Sequence, residues 1–292
     1  IETFVRKKLA ELKKDPERSA RGLIDMALNF SEGRFQKHFF GVAQNILQNG
    51  RSGYYKLIQD IVKNVDAERL LTFGMNLGYN SFTSGAKIIR ETEAARGYNI
   101  PWTIILGAGT NIDIEDSRRR LIIEAKEVGI HTFILFADAK PENLLAHIGE
   151  NPDCAFVLLC KVRDMTEEFI YRAYEYKNLM LAVEYPTDEY STDMNPSDKN
   201  QSDINQSDIN QSDFNQSDFN PSDINPIDSA EICRILKKRG MLYSVYVIYR
   251  TDNAEAVLSG KLLSDIGRLN PVFTLFLSGD TAGGISPVDT AE

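Results

Sequence analysis

Charged and aromatic side chains recur just after the apolar runs in the second half of the sequence, where predicted strands end. They are Asp138, Lys140, Lys161, Arg163, Glu184, Tyr249, Arg250 and Asp280. Parallel strands bring such residues to one rim of a barrel, where ligands bind. The cations outnumber the acids in this set, and two arginines on different strands suit a carboxylate or phosphate group. If this rim binds a ligand, we expect a small anionic or zwitterionic metabolite, with Asp138 and Glu184 available as acid–base groups. The alternative is that the cations only form exposed ion pairs with the rim acids.

Two glycines, Gly107 and Gly109, follow the first predicted strand and complete this candidate set at the barrel mouth. The Gly-Ala-Gly pattern suggests a phosphate-binding loop. It lacks the third glycine and the ribose-binding acid of a dinucleotide site, so the sequence disfavours nucleotide binding.

The cysteines and histidines do not predict a metal site. Cys154 and Cys160 flank one predicted strand, which separates them by about 20 Å, and Cys233 falls in the core face of a predicted helix. His38, His131 and His147 each stand without a nearby acid or a ligand spacing, so structural roles are expected for them. The odd number of cysteines shows no disulfide pattern and suits a reducing compartment.

The strand-end residues depend on an alternation of short apolar runs and amphipathic helices, which is typical of a parallel sheet with crossover helices. The predicted strands are Trp102–Leu106, Thr132–Ala137, Ala155–Cys160, Met180–Val183, Leu242–Tyr249 and Val272–Leu277. The predicted helices between them are Arg118–Val128, Pro141–Ile148, Thr166–Tyr176, Ser229–Lys238 and Ala254–Ile266. Such a chain forms either an open doubly wound sheet or a barrel, and we favour an α/β fold with a partial TIM-like barrel of about six βα units.

Residues 1–98 show only helical periodicity, with Pro16 suited to a first helical turn and Asn49-Gly50 as a helix stop. The sequence therefore predicts an N-terminal helical region, residues 1–98, packed on a barrel formed by residues 99–292.

The net charge of −9 is concentrated in one segment. Residues 193–228 hold eight aspartates and one lysine, a local charge of −7, which leaves −2 for the rest of the chain. No basic stripe is present, so nucleic acid is not an expected partner. No apolar run approaches the length of a membrane helix and no signal pattern opens the chain, so we expect a soluble cytoplasmic protein.

The acidic segment has a five-residue period, as in Ser202-Asp203-Ile204-Asn205-Gln206. This pattern resembles pentapeptide-repeat proteins, which wind a square β-helix around the Ile or Phe of each unit. The segment is short for such an array. Two interpretations stay open, a low-complexity acidic loop produced by repeat expansion and a short ordered coil docked on the barrel.

Several motifs together resemble a branch of the radical S-adenosylmethionine enzymes. They are Asn76-Leu77-Gly78, Arg90-Glu91, Gly97-Tyr98-Asn99-Ile100-Pro101-Trp102, Gly129-Ile130 and Pro152-Asp153-Cys154. The resemblance covers nearly the whole chain. It implies an N-terminal helical region followed by a partial six-stranded βα barrel, with Glu184 at an acidic position common after the fourth strand.

The sequence departs from that family where the family binds its cofactors. The three cysteines that hold a [4Fe–4S] cluster after the first strand are absent from residues 107–115, and the carboxylates there are hard donors that do not replace thiolates. The Gly-Gly-Glu-Pro that contacts the cofactor's amino group is matched by Asp138-Ala139-Lys140-Pro141, which puts a cation beside an ammonium group. We therefore expect no iron–sulfur cluster, and S-adenosylmethionine binding in the family's manner is disfavoured.

Two functional classes follow from the sequence. The favoured one is a pseudoenzyme of this family, a non-catalytic binding or scaffold protein for a protein partner or a small metabolite. The other is an enzyme that keeps the barrel without the cluster and uses rim carboxylates as acid–base groups. A perturbed carboxylate buried beside a cation in a closed pocket would favour the enzyme.

Overall fold

A computed structural model describes residues 1–31, 33–50, 52–107, 112–137, 140–187, 228–249, 254, 260–281 and 284–287. The N-terminal region is helical, as the sequence predicts. Its helices are α1 (Glu2–Leu12), α2 (Pro16–Asn29), α3 (Arg34–Gln48), α4 (Gly53–Asn64), α5 (Ala67–Met75) and α6 (Ala86–Arg96).

Side-chain caps fix the beginnings of several of these helices. The Asp15 carboxylate accepts a hydrogen bond from the backbone N–H of Arg18 at the start of α2, and Asp66 does the same for Arg69 at the start of α5. Gly97, with a φ of 74°, ends α6 in the left-handed conformation that favours glycine. Apolar residues of α1 to α4 form a small core of their own, made of Leu12, Ala20, Leu47, Tyr55 and Val62.

A π-helical segment, Asn76–Gly85, joins α5 to α6 without a break. Its wider turn is a rare conformation that is often found at functional positions. The Asn76 side-chain amide donates to the carbonyl oxygens of Pro152 and Cys154, and the Asn80 amide donates to that of Asp153. The segment therefore holds a loop of the second half of the chain in place.

The second half forms a seven-stranded sheet in which sequence neighbours pair side by side. Strands β1 (Ile104–Leu106), β2 (Thr132–Phe136), β3 (Ala155–Cys160), β4 (Leu179–Glu184), β5 (Tyr243–Tyr249) and β6 (Thr274–Thr281) are parallel, and β7 (Gly284–Pro287) is antiparallel to β6. The helices between them are α7 (Ile112–Glu127), α8 (Glu142–Glu150), α9 (Glu167–Ala173), α10 (Ser229–Lys238) and α11 (Gly260–Leu269). The sequential order makes a curled half-barrel, so the partial α/β barrel is confirmed at this level and the doubly wound alternative is not.

The strand boundaries differ from the predicted ones mainly at the two edges of the sheet. β1 begins at Ile104 rather than Trp102, and the ring of Trp102 lies against Phe82, with ring centroids 5.0 Å apart. The antiparallel β7 was not predicted. Residues 188–227 lie outside the described part of the chain, and with them most of the acidic segment 193–228.

Both faces of the sheet are covered. The convex face, with Phe133, Phe156 and Leu181, packs against α7 to α11 in the largest core of the molecule. The concave face, with Val157 and Met180, packs against Phe73 and Leu77 of the N-terminal region. Burial on both sides explains why β3 and β4 are continuous apolar runs.

Arg69 connects the N-terminal helices to the sheet. Its side chain is fully buried, and its guanidinium donates to the carbonyl oxygens of Tyr174, Tyr176 and Leu179 around the start of β4. Burial lowers the pKa of this guanidinium. Within the described residues, no helix has the length and apolar character needed to cross a membrane.

Candidate functional site

Lys161, Glu184 and Tyr246 form one row across the carboxyl edge of the sheet, which we call the edge row. Glu184 pairs with Tyr246 across β4 and β5. Cys160, the last residue of β3, pairs with Val183, and Lys161 follows β3 directly, so extending this register by one residue places Lys161 next to Glu184. The backbone of Lys161 is extended, with φ −68° and ψ 147°, so the side-chain alternation of β3, continued by one residue, assigns Lys161 to the concave side. Three strands therefore bring a cation, a carboxylate and a phenol together.

The edge row lies directly above buried side chains of the concave face. Ser244 is fully buried opposite Ala182, and its hydroxyl oxygen has no hydrogen-bond partner among the described residues. Tyr246 is only 2% exposed. Burial, with added repulsion from the nearby Glu184 carboxylate, raises the pKa of the Tyr246 phenol, so this group stays protonated at neutral pH.

Polar groups lie around the carboxyl ends of β3 and β4. The hydroxyl of Ser229, in the first turn of α10, donates to the backbone oxygen of Glu184 at 2.7 Å. After β3 the chain makes a 3-10 turn, Val162–Asp164, whose last carboxylate is mostly buried and has one oxygen, Oδ2, without a hydrogen-bond partner in the described structure. Repulsion from the Asp164 carboxylate adds a small contribution to the raised pKa of Tyr246, after burial and Glu184, so Asp164 is a second acid in this region.

The remaining residues of the predicted site occupy different places. Lys140 is exposed before α8, and the Arg163 side chain is 73% exposed, with Nε 3.9 Å from Asp164 Oδ1. Tyr249 packs on the convex, helix-covered core rather than on the concave face. Gly107 is exposed at the end of β1, where its carbonyl oxygen accepts from Arg118, and Asp280 belongs to β6. Gly109, Asp138 and Arg250 lie outside the described residues.

Sequence reasoning missed Tyr246, Ser244 and Asp164. A signal for the first two was present, because Ser244 and Tyr246 fall on the same face of β5 as Leu242 and Ile248, and polar groups interrupt that face. No pattern in the sequence distinguishes Asp164 from a solvent-exposed turn acid.

A second polar cluster lies at the opposite, amino-terminal edge of the sheet, where β2 and β3 begin. His131 Nδ1 is 3.8 Å from Asp153 Oδ2 and 3.9 Å from Cys154 Sγ. Lys126 on α7 forms an ion pair with the other oxygen of Asp153 at 2.7 Å. The expectation that His131 stands apart from any acid is therefore wrong, because the crossover from β2 to β3 returns Asp153 to the start of β2.

The ionisation of this cluster is governed by burial. Burial lowers the pKa of His131 against the opposing effect of Asp153, so its imidazole is neutral at pH 7. Burial raises the pKa of the Cys154 thiol to about 12 and raises that of Cys233 equally. These thiols are buried and protonated rather than reactive.

The described residues contain no cysteine near the end of β1, where the resemblance to radical S-adenosylmethionine enzymes would place cluster ligands. The three cysteines are buried, and Cys160 lies at the opposite end of β3 from Cys154. Comparison with known proteins gives no matching family model, no matching curated protein and no matching solved structure.

Proposed function

We propose that this chain is a non-catalytic protein that binds a small zwitterionic metabolite at the carboxyl edge of a radical S-adenosylmethionine-like half-barrel, without an iron–sulfur cluster. The observation that carries the proposal is the edge row, in which Lys161 and Glu184 on adjacent strands present opposite charges beside Tyr246.

The spacing of the edge row suits a zwitterion. Neighbouring strands lie about 4.8 Å apart. At that spacing the Lys161 ammonium and the Glu184 carboxylate can each contact one end of a small amino acid. The ligand's carboxylate would meet Lys161 and its ammonium group would meet Glu184. Tyr246, whose phenol stays protonated, can donate a hydrogen bond to the carboxylate.

Asp164 and Ser244 lie below the surface at this end of the sheet. Each carries a buried oxygen with no hydrogen-bond partner among the described residues, and such groups are costly unless an enclosed water satisfies them. Neither oxygen is accessible to a ligand, so the proposal depends on Lys161, Glu184 and Tyr246 alone. The apolar side chains below the row close the concave face against deeper entry.

The resemblance to the radical enzymes is consistent with this proposal at the level of architecture. A helical region precedes a half-barrel of six parallel strands, as the resemblance implies. The family's thiolate triplet is missing after β1, so the proposed function retains the ligand-binding edge of the barrel and omits the radical chemistry. A cytoplasmic location and the absence of a nucleic-acid partner belong to the same proposal.

The test is a thermal-shift screen of the full chain with the free amino acids, S-adenosylmethionine and S-adenosylhomocysteine, with inorganic phosphate as an anion without an ammonium group. We expect at least one zwitterion to raise Tm in the wild type. Lys161→Gln and Glu184→Gln should each lower affinity for it at least tenfold, because one end of the ligand loses its charged partner. Arg163→Gln, an exposed position two residues away, is the matched control and should bind as the wild type does.

Two results would overturn the proposal. One is that no zwitterion shifts Tm, and the other is that both edge-row variants retain wild-type affinity. The non-catalytic part is tested separately, because a bound ligand should be recovered chemically unchanged after prolonged incubation. The absence of a cluster is tested by anaerobic reconstitution, in which stoichiometric iron and sulfide per chain would contradict the proposal.

A further inference from the structure

We propose that His131, Asp153 and Cys154 form a binding site for a divalent transition metal of the zinc type at the amino-terminal edge of the sheet. The site is far from the edge row along the strands, and the proposal does not depend on the proposed function. Nitrogen, oxygen and sulfur donors of these kinds are the usual zinc ligands in proteins.

The distances between the donor atoms are close to those of a tetrahedral site. One donor atom from each residue lies within 4.8 Å of the others. Bond lengths to zinc of about 2.0 to 2.3 Å place tetrahedral donors about 3.3 to 3.6 Å apart. The observed 3.8 Å from Nδ1 to Oδ2 and 3.9 Å from Nδ1 to Sγ exceed those values by only a few tenths of an ångström. The third separation, from Sγ to the carboxylate oxygen, is at most 4.8 Å, so rotation of the half-exposed Asp153 side chain has to bring its oxygen closer to Sγ when a metal binds.

The fold fixes the backbone of the donors. The N–H of Ala155 donates to the carbonyl oxygen of His131 at 2.8 Å, so His131 and Cys154 are held side by side at the start of β2 and β3. Asn76 and Asn80 of the π-helical segment bind the carbonyl oxygens of Cys154 and Asp153 at 2.9 Å each. The loop that carries two of the donors is thus anchored before any metal arrives, which lowers the entropy cost of binding.

The burial of the donors suits a metal ion that keeps one open position. Cys154 is fully buried, the His131 side chain is 15% exposed, and the Asp153 side chain is 44% exposed. A metal between them would have one side towards solvent, where a water molecule can complete four ligands. Binding releases the thiol proton of Cys154 to solvent, so the thiolate and the carboxylate together balance the two positive charges of the metal.

The role of Lys126 differs between a metal site and a simple ion pair. Its ammonium contacts Asp153 Oδ1 at 2.7 Å, whereas Oδ2 faces His131. If the cluster exists only for the ion pair, Lys126 is its main partner. If the cluster binds a metal, Lys126 orients the Asp153 carboxylate, and its positive charge repels the metal ion and weakens metal binding.

The experiment is a Co2+ titration of the chelator-treated full chain, followed by competition with Zn2+. We expect one Co2+ per chain with a thiolate-to-cobalt charge-transfer absorption, displaced by Zn2+. Cys154→Ala should lose that absorption, and Asp153→Asn and His131→Gln should weaken Co2+ binding by more than about 100-fold, because even the loss of an outer partner costs about 10- to 100-fold. Cys160→Ala, a buried thiol at the other end of β3, should keep the absorption, and Lys126→Met should bind Co2+ at least as tightly as the wild type.

Circular dichroism of every variant separates lost ligands from lost folding. Asp153→Asn changes a half-exposed side chain and decides the question if Cys154→Ala does not fold. The proposal is overturned if the wild type binds no stoichiometric Co2+, if the absorption survives in Cys154→Ala, or if Asp153→Asn binds Co2+ with wild-type affinity.

Discussion

The contact between the π-helical segment and the start of β2 should depend on the absence of a side chain at Gly85. A Cβ atom there would lie 2.6 Å from the Asn80 carbonyl oxygen and closer still to the Gly129 carbonyl oxygen, both well inside van der Waals contact distance, with His131 Cδ2 at 3.2 Å. Gly129 has a φ of 98°, so it is itself confined to a conformation that L side chains rarely adopt. Gly85→Ala therefore forces two backbones apart.

The magnitude follows from what the clash displaces. Overpacking in a core costs about 1–3 kcal/mol, and here no rotamer can relieve it because both close atoms belong to the backbone. Separation also strains the 2.9 Å hydrogen bonds from Asn80 to Asp153 and from Thr132 to Ser81, each worth about 1 kcal/mol. We expect Gly85→Ala to lower the free energy of unfolding by about 3 kcal/mol.

Gly78→Ala is the matched control, since a Cβ at Gly78 in the same segment would meet no atom within 4 Å. Alanine is a better helix former than glycine by about 1 kcal/mol, so this variant should be neutral or slightly stabilised. Urea denaturation followed by circular dichroism measures both. If the two variants unfold within about 0.5 kcal/mol of each other, the reasoning about this contact is refuted.

Three further predictions concern the rest of the molecule. Arg69→Met should destabilise the protein by about 3 kcal/mol or more in urea denaturation, because three buried carbonyl oxygens lose their charged donor, and a loss below 1 kcal/mol would contradict the docking role. Burial opposes ionisation of Asp60, but hydrogen bonds from Lys237 and Asn270 outweigh it and lower the folded-state pKa of Asp60. The ionised carboxylate therefore stabilises the protein above its unfolded pKa of about 3.9, and this stabilisation is lost as pH falls through the folded-state pKa. Asp60→Asn should accordingly reduce the acid dependence of Tm below about pH 4. Replacing residues 193–227 with a short Gly-Ser linker should keep Tm within a few degrees, because loop length costs only about 0.6 kcal/mol per doubling. Extending the replacement through Asp228, whose carboxylate caps α10, should lower the free energy of unfolding by about 1 kcal/mol more. A collapse in soluble yield with the shorter replacement would show that the Ile and Phe residues pack on the barrel.

Local patterns predicted some elements to the residue. Ala155–Cys160 and Ser229–Lys238 have the same bounds in the sequence prediction and in the structure. The strand is an uninterrupted apolar run between turn residues, and the helix has Asp228 before its first residue and Gly240, with a φ of 70°, after its end. Both are determined by neighbours in the chain.

The edges of the sheet were less predictable because tertiary contacts decide them. β1 begins where its pairing with β2 begins, at Ile104 opposite Phe133, which is 29 positions away in sequence. In the π-helical segment, the side chains of Asn76 and Asn80 donate hydrogen bonds to the loop before β3. Helix propensities do not predict such a segment, because these contacts are made with a distant part of the chain.

Parallel strands with crossover helices after a helical region follow from the amino-acid pattern alone, because burial on two faces requires apolar runs and amphipathic stripes. The pattern also determines which residues share a face within each strand, since the side-chain period is two. Which residues of different strands meet depends instead on contacts between distant parts of the chain. The register that brings Lys161 beside Glu184 and Tyr246, and Asp153 back to His131, accompanies the packing of both sheet faces. That packing sums many weak contacts between residues far apart in the sequence.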